Sequence, residues 1–265
     1  MAGAFRDRYG AWALVAGASE GLGAEFAGQL AQRGLNLVLV ARRAGPLEAL
    51  AASLRGAHGV EVRTLARDLS KADDLRAITE GTEALDVGLV VCNAALAPIG
   101  AFLERTEAEH QALLDVNCRA AMVFARRFGP KLVQRGRGGL VFLSSLASLQ
   151  GTALTVHYSA SKAYLRVLAE GLWEELRPSG VDVLAVVAGP THTPTWEASQ
   201  PKPGFFAPPV QPAQVVVSAA LGSLGKGPVC FPGAAPTAIG LLMKLLPTSV
   251  AVRMVSGATR KLYGR

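Results

Sequence analysis

Short apolar runs alternate with longer amphipathic segments along most of the chain. Several of the apolar runs contain almost no polar residue, which is typical of strands covered on both faces of a sheet. These runs span residues 12–17, 35–41, 59–66, 87–94, 139–145, 181–189 and 227–231. The amphipathic segments predict helices at about 21–33, 45–56, 71–83, 106–135, 156–177 and 212–223. Strands that alternate with helices predict an α/β fold, a single domain built on a doubly wound, parallel, seven-stranded sheet.

A glycine-rich turn follows the first apolar run. The stretch AGASEGLG places Gly17, Gly21 and Gly23 between the first strand and the first predicted helix. Glycines at this junction let the backbone turn tightly and approach a pyrophosphate, and the helix N-terminus offers free N–H groups to the anion. Glycines also simply end strands, so the turn alone indicates a phosphate site without establishing one.

The stretch HYSASK places Tyr158 four residues before Lys162 in a predicted helix. Residues i and i+4 share a helix face, so the ammonium is expected near the phenol. A nearby cation favours the phenolate and lowers the pKa of a tyrosine from its usual value of about 10. Such a tyrosine exchanges protons near neutral pH, although the same spacing occurs by chance in many helices.

Several motifs, in a fixed order, resemble the short-chain dehydrogenase/reductase family in its single-domain branch, over about residues 10–232. AGASEGLG is similar to the family's TGxxxGxG, CNAA to its NNAG, and VAGPTHTP to its motif after the sixth strand. Ala16, Ala95 and Ala188 stand where the family usually has threonine, glycine and proline, and we expect local adjustment without loss of activity. The resemblance implies a Rossmann fold and an oxidoreductase.

The resemblance assigns catalytic roles to four residues. Tyr158 is expected to donate a proton to a carbonyl oxygen, or to remove one from an alcohol. Ser145, which lies 13 residues earlier as in the family, holds that oxygen. Lys162 lowers the pKa of Tyr158 and binds the nicotinamide ribose, and Asn117 holds a water that links Lys162 to solvent.

The resemblance also predicts the cofactor, NADP(H). Relatives that prefer NAD have an acidic residue at the end of the second strand, where this chain has Ala41 followed by Arg42 and Arg43. A guanidinium there can pair with a 2′-phosphate, although a solvated basic turn is the alternative. Thr193 matches the family's threonine for the nicotinamide carboxamide, with a helix N-cap as the alternative. The predicted cofactor residues are Gly17, Ser19, Glu20, Gly21, Leu22, Gly23, Arg42, Arg43, Asp68, Leu69, Asn93, Ala94, Tyr158, Lys162, Gly189, Thr191 and Thr193.

The expected substrate is a small carbonyl compound or alcohol with a hydrophobic body. The predicted pocket residues are Leu96, Ala147, Leu149, Trp196 and Phe205. The last two belong to a proline-rich loop, about 191–212, that is long enough to cap a substrate. A 3-oxoacyl thioester or steroid reductase is the alternative within the family. The alternative from another functional class is a nicotinamide sensor without turnover, which is disfavoured because the set of Ser145, Tyr158 and Lys162 is complete. An enoyl reductase is disfavoured as well, because the gap between Tyr158 and Lys162 is only four residues.

Composition limits the remaining classes of function. Of 265 residues, 50% are apolar and 18% are charged, which argues against disorder. The cysteines and histidines show neither disulfide nor metal-ligand spacing, so we expect reduced thiols and no metal site. No secretory signal and no apolar stretch of roughly 20 residues occurs, which predicts a soluble, cytoplasmic protein. Basic residues are not interleaved with aromatic ones, so nucleic-acid binding is not expected.

The net charge of +7 belongs to the C-terminal quarter. Residues 1–197 hold all 20 acids and 20 of the 27 bases, whereas residues 198–265 hold seven bases and no acid. In one interpretation the tail, about 233–265, packs apolar faces over the substrate cleft and its bases keep the surface soluble. In the other it forms a basic amphipathic surface, which attracts an anionic carrier group on the substrate or makes peripheral contact with an anionic membrane.

The two longest predicted helices also indicate a homo-oligomer, a dimer or a tetramer, because family members often associate through them. The second of these helices carries an apolar stripe formed by Leu165, Leu168, Leu172 and Leu176. The stripe is predicted to be exposed for association, with packing on the sheet as the alternative.

Overall fold

A seven-stranded parallel sheet forms the centre of the protein. The computed structural model describes residues 2–202 and 209–264. The strands are β1 (Trp12–Ala16), β2 (Asn36–Ala41), β3 (Val62–Ala66), β4 (Val87–Cys92), β5 (Gly138–Ser145), β6 (Val181–Ala188) and β7 (Val229–Cys230). They lie in the order β3-β2-β1-β4-β5-β6-β7, and every neighbouring pair is parallel. The predicted doubly wound sheet, the Rossmann fold, is confirmed.

Helices cover both faces of this sheet. In chain order they are α1 (Ala2–Tyr9), α2 (Gly21–Gln32), α3 (Ala44–His58), α4 (Ala72–Gly81), α5 (Glu107–Leu114), α6 (Ala120–Arg135), α7 (Val156–Leu176), α8 (Pro194–Ala198), α9 (Ala213–Ser223), α10 (Ala234–Leu245) and α11 (Thr248–Tyr263). Ala13 and Val15 of β1 belong to an apolar cluster shared with α2, α3 and α9, whereas Leu14 belongs to one shared with α4, α6 and α7. A strand that is apolar on both faces needs both layers.

The strand order reverses at β1, which has β2 on one side and β4 on the other. The loops that follow these strands diverge and open a crevice at the carboxyl edge of the sheet. Gly17 starts the first loop with φ of 83°, a left-handed conformation that favours glycine. The N–H groups of Asn93 and Ala94 donate to the Ala16 carbonyl oxygen at 3.0 and 2.8 Å, so the loop after β4 is held beside this turn.

The first helix is tied to the amino edge of the sheet. Asp182, near the start of β6, accepts hydrogen bonds from Arg8 at 3.0 and 3.1 Å and from the Tyr9 hydroxyl at 2.8 Å. Asp182 is largely buried, so these donors stabilise a carboxylate that has little contact with water. Helix α1 therefore closes the side of the molecule that faces away from the crevice.

The tail forms α10 and α11, which return to the carboxyl edge of the sheet. The Ser256 hydroxyl accepts from the Ala153 N–H at 3.0 Å, and the Leu262 carbonyl accepts from the Lys202 N–H at 2.7 Å. These bonds hold α11 beside the loops that precede α7 and follow α8. Within the described residues, none of the helices is both long enough and apolar enough to cross a membrane.

Some element boundaries differ from the predictions. The helix predicted over 106–135 is two helices, α5 and α6, joined by a π-helical segment at Asp115–Arg119. Strand β3 begins only at Val62, because Gly59 ends α3 in a left-handed conformation.

The leucine stripe of α7 packs on the sheet and is not exposed. Leu165 is buried, and the other three leucines pack against the same apolar cluster. The prediction of an exposed stripe is wrong, because the apolar faces of β5 and β6 need a cover and α7 supplies it. The apolar side chains that α6 and α7 do expose include Met122, Tyr164 and Val167.

Candidate active site

A cleft of about 1520 Å³ opens at the carboxyl edge of the sheet. It runs from the glycine-rich turn after β1 to the tail helices, and it gathers most of the predicted site residues. Those that line it are Gly17, Ser19, Glu20, Gly21, Leu22, Arg42, Arg43, Asp68, Leu69, Asn93, Ala94, Leu96, Ser145, Ala147, Tyr158, Lys162, Gly189, Thr191, Thr193 and Trp196.

Other predicted residues do not line the cleft. Gly23 is buried behind its wall. Leu149 is half-buried at the end of a short 3-10 turn after β5, and Leu146 and Gln150 line the cleft instead. The prediction that Leu149 lines the pocket therefore differs from the structure. Phe205 lies outside the described residues.

The glycine-rich turn has no room for side chains. A Cβ on Gly17 would lie 2.6 Å from the Cα of Ala94, and a Cβ on Gly23 would collide with the Gly17 carbonyl oxygen. That oxygen also accepts a hydrogen bond from Asn93 Nδ2 at 2.7 Å. Helix α2 therefore starts close against β1 and β4, with its free N–H groups at the cleft. This cradle fits the pyrophosphate of a dinucleotide.

Positive charge concentrates at the end of β2. Arg42 and Arg43 are both exposed there. Arg43 forms an ion pair with Glu20 of the turn, whereas Arg42 forms none with the described residues. Burial raises the pKa of Asp68, but hydrogen bonds from Ser70 and the charge of Arg42 outweigh it and hold that pKa below its usual value. Arg42 is thus the cation here that is available to a ligand.

Ser145 and Tyr158 meet in the middle of the cleft. Ser145 ends β5, and Tyr158 lies in the first turn of α7. The Ser145 hydroxyl accepts a hydrogen bond from the Ala147 N–H at 3.2 Å, which orients it. Burial raises the pKa of Tyr158, a hydrogen bond from Ser145 opposes this, and the neighbouring Tyr263 raises the pKa further. The phenol is therefore protonated at neutral pH and can donate a proton.

Lys162 lies beside Tyr158 and is only 3% exposed. Its Nζ donates to the Leu143 carbonyl at 2.6 Å and lies 5.6 Å from the centre of the Tyr158 ring. Burial lowers the pKa of Lys162 to about 8, against a smaller opposing effect of Cys118. The sequence predicted a lowered pKa for Tyr158, but burial dominates at the phenol and raises that pKa, while the Lys162 ammonium is directed at the Leu143 carbonyl.

Asn117 lies in the π-helical segment behind the cleft wall and is 1% exposed. Its Oδ1 accepts from the Leu96 N–H at 2.7 Å, and its Nδ2 donates to the Leu96 carbonyl at 3.0 Å and to the Ser161 hydroxyl at 2.9 Å. Ser161 donates to the Tyr158 carbonyl at 2.8 Å. It belongs to the HYSASK stretch but was not among the predicted site residues. The amide thus joins the loop after β4 to α7. Both polar atoms of the amide are engaged by protein groups, and the water link to Lys162 stays a prediction.

A pair of histidines lies next to the predicted catalytic tyrosine. The Nδ1 atoms of His110 and His157 are 2.8 Å apart, and Nε2 of His110 is 3.1 Å from the Phe102 carbonyl oxygen. The Phe102 ring stacks on His110 with centroids 4.2 Å apart. Burial, and then His110, lower the pKa of His157. The pair ties α5 to the start of α7, one residue before Tyr158.

Twelve of the cleft residues that were not predicted belong to the tail. They are Ile239, Leu242, Met243, Arg253, Met254, Val255, Gly257, Ala258, Thr259, Lys261, Leu262 and Tyr263. The tail therefore packs an apolar face over the cleft, as one of the two interpretations expected. Helical spacing of apolar residues was the available signal, but a lone sequence does not say where such a helix docks.

Residues 11–204 match the family model described as short chain dehydrogenase. The chain belongs to this family. It is accordingly an oxidoreductase.

Relatives within the family include a 7beta-hydroxysteroid dehydrogenase of Clostridium sardiniense, 34% identical over 213 residues that cover 80% of this chain and 82% of the relative. A very-long-chain 3-oxoacyl-CoA reductase of Podospora anserina is 38% identical over 185 residues, 68% of this chain but 54% of the relative, so the chain spans about half the length of that protein. The structure of a short-chain dehydrogenase from Sphingobium yanoikuyae in complex with NADPH superposes with a TM-score of 0.78 at 33% identity, covering 90% of this chain and 97% of the other.

Proposed function

We propose that the protein is an NADP(H)-dependent carbonyl reductase or alcohol dehydrogenase for a hydrophobic ketone, aldehyde or secondary alcohol. The observation that carries this proposal is the meeting of Ser145 and Tyr158 above buried Lys162. They lie between an anion-binding turn and an apolar wall. A proton donor in that position suits reduction of a carbonyl whose substituents are apolar.

The residues around the turn fit NADP(H). The cradle formed by Gly17, Gly23 and Asn93 admits a backbone-bound pyrophosphate and no side chain. No carboxylate stands at the end of β2 to repel a 2′-phosphate, and Arg42 is available to pair with it. A relative of similar structure is known with NADPH bound, which supports the same choice here.

The nicotinamide supplies the hydride in reduction and accepts it in oxidation. In reduction, Tyr158 gives its phenolic proton to the carbonyl oxygen while the Ser145 hydroxyl holds that oxygen in place. Because burial keeps the phenol protonated, reduction runs at neutral pH without prior titration. Lys162, with a pKa of about 8, is suited to return the proton, and Asn117 holds the water that connects it to solvent.

The apolar wall supplied by the tail favours a large hydrophobic substrate. The relatives are named as enzymes of hydroxysteroids and of 3-oxoacyl-CoA, and both names describe carbonyl or alcohol groups on large apolar bodies. A steroid or 3-oxoacyl substrate is therefore the more specific form of the same proposal.

We also propose a cytoplasmic homo-oligomer, either a dimer or a tetramer. The exposed side chains of Met122, Tyr164 and Val167 offer a second copy an apolar face on α6 and α7. The three cysteines are all free, which suits a reducing compartment.

A direct test mixes the purified protein with NADPH and a panel of hydrophobic ketones and follows absorbance at the nicotinamide band. We expect turnover with NADPH and much less with NADH. Binding of NADPH without turnover of any ketone would favour a nicotinamide sensor.

Replacement of Tyr158 by Phe tests the proton donor. Only the hydroxyl is lost, so NADPH binding should stay nearly intact while kcat falls by about 10²–10⁴-fold. Tyr164→Phe, on the same helix but exposed and outside the cleft, is the matched control and should keep wild-type kcat. If Tyr158→Phe kept more than about a tenth of wild-type kcat, another group would be the acid.

A further inference from the structure

The tail end of the cleft has a charge pattern that hydride transfer does not use. Its cations are Arg253 and Lys261, both on α11 and both exposed. The acidic residues that line the described part of the cleft are Glu20 and Asp68, which lie at the opposite end and are engaged by Arg43 and by Ser70. The substrate end of the cleft is thus apolar and positive.

No acidic side chain of the tail neutralises these two cations. Residues 198–265 contain no acid, and neither Arg253 nor Lys261 forms an ion pair with a described residue. Two such cations at the wall of a mostly apolar cleft raise the local concentration of anions.

An open groove lies between the two cations. Gly257 and Ala258 separate Arg253 from Lys261 on α11 and also line the cleft. A Cβ added to Gly257 would meet no atom within 4 Å, so the space above the helix at this point is free. At a rise of about 1.5 Å per residue, the backbone positions of the two cations are about 12 Å apart along the helix.

We propose that the cleft takes an amphipathic substrate, whose apolar body lies along the apolar wall and whose carboxylate lies over Gly257, within reach of the long side chains of Arg253 and Lys261. This rests on the proposed reductase function and names its substrate class. Tyr263 influences Tyr158, so the reacting oxygen lies near the end of α11. Arg253 is ten residues earlier, about 15 Å along the helix. Guanidinium and ammonium groups bind carboxylates through charge-assisted hydrogen bonds.

The first test compares oxo acids of increasing length with their methyl esters, using NADPH as the reductant. Wild-type protein should prefer the acid, by kcat/KM, with an optimum in the distance between carbonyl and carboxylate. Arg253→Gln and Lys261→Gln should each reduce the acid-to-ester ratio by about 1.5- to 5-fold, the range for exposed pairs. High salt should reduce it as well.

Arg260→Gln is the matched control, since it removes the same charge from the same helix. Arg260 is exposed, adjacent to Lys261 and not among the cleft-lining residues, so its acid-to-ester ratio should equal that of wild type. Gly257→Leu tests the groove itself. The position has room for a side chain, so the variant should fold, yet its KM for long oxo acids should rise far more than its KM for a short ketone.

Calorimetric titration of the oxo acid into the protein with NADP⁺ makes the answer independent of turnover. Binding that depends on Arg253 and Lys261 in a protein that reduces no ketone would uphold this site and reject the reductase function. An enzyme that turns over acid and ester equally well would uphold the reductase function and reject this carboxylate site. If the two variants lost only binding to anionic phosphatidylglycerol vesicles, with an unchanged acid-to-ester ratio, the bases would serve a membrane contact and the substrate assignment would be overturned.

Discussion

Individual side chains at the end of β2 set the expected choice of cofactor. Arg42 is free of ion pairs with the described residues, whereas Arg43 is occupied by Glu20. We therefore expect Arg42→Ala to weaken NADPH binding by about tenfold or more, with NADH nearly unchanged. Equilibrium titration of nicotinamide fluorescence measures both affinities. Arg76→Ala, which removes an exposed arginine outside the cleft, is the control, and a wild-type preference for NADH would reject the assignment.

Burial of Lys162 lowers its pKa and, with it, the stability of the folded protein at neutral pH. Its pKa is about 8 in the folded protein and 10.5 when unperturbed, so the unfolded chain binds more protons between these values and stability rises with pH across that window. Lys162→Met should abolish turnover yet stabilise the protein at pH 7 by about 1–3 kcal/mol. Thermal unfolding at pH 7 and pH 10 checks this, because the variant should not gain the stability that the wild-type protein gains between these two pH values. An exposed control, Lys226→Met, should unfold like wild type; a destabilised Lys162→Met would contradict the argument.

At the scale of elements, the junction of β1 and α2 allows a matched pair of glycine substitutions on one helix. A Cβ on Gly23 collides with the Gly17 carbonyl oxygen, whereas a Cβ on Gly28 meets nothing within 4 Å. We expect Gly23→Ala to destabilise the protein by about 1–3 kcal/mol and to weaken NADPH binding. Gly28→Ala should instead stabilise it by about 0.5–1 kcal/mol. Urea unfolding measures the stability of both variants. Equal effects of the two changes would mean that the close approach of α2 to the turn after β1 is unimportant.

The sequence carries clear signals for elements that are strongly periodic or wholly apolar. All seven strands were predicted, the central ones because their apolar runs must be covered on both faces. The π-helical segment at Asp115–Arg119 could not be predicted, because one extra residue in a turn leaves the apolar pattern nearly unchanged. Helices α10 and α11 were noticed only as a basic, apolar tail, since their docking depends on the loops they meet and not on their own sequence.

For the whole molecule, the exposed apolar face of α6 and α7 predicts association with a second copy. Light scattering at micromolar concentration should give a mass above that of a monomer. Val167, which is 56% exposed, can accept a charge without loss of folding, so Val167→Lys should shift the mass towards the monomer. Val250→Lys, at a 48% exposed position of α11, should not. A monomeric wild-type protein would reject the predicted oligomer.

The site shows a similar division between what sequence does and does not reveal. The sequence reveals the turn glycines and the pair of Tyr158 and Lys162, because their function depends on residues at a short, fixed spacing along the chain. The pKa of Tyr158 was misjudged, because burial and the direction of the Lys162 ammonium are properties of the packed protein. Tyr263, 105 residues beyond Tyr158 in the sequence, reaches the cleft only through the docking of α11.

The contact between His110 and His157 fixes where protons reside beside the reaction centre. A carbonyl oxygen can only accept, so His110 carries its hydrogen on Nε2 to bind Phe102, and its bare Nδ1 accepts from Nδ1–H of His157. The two rings are therefore held as opposite tautomers, with Nε2 of His157 left as an acceptor one residue before Tyr158.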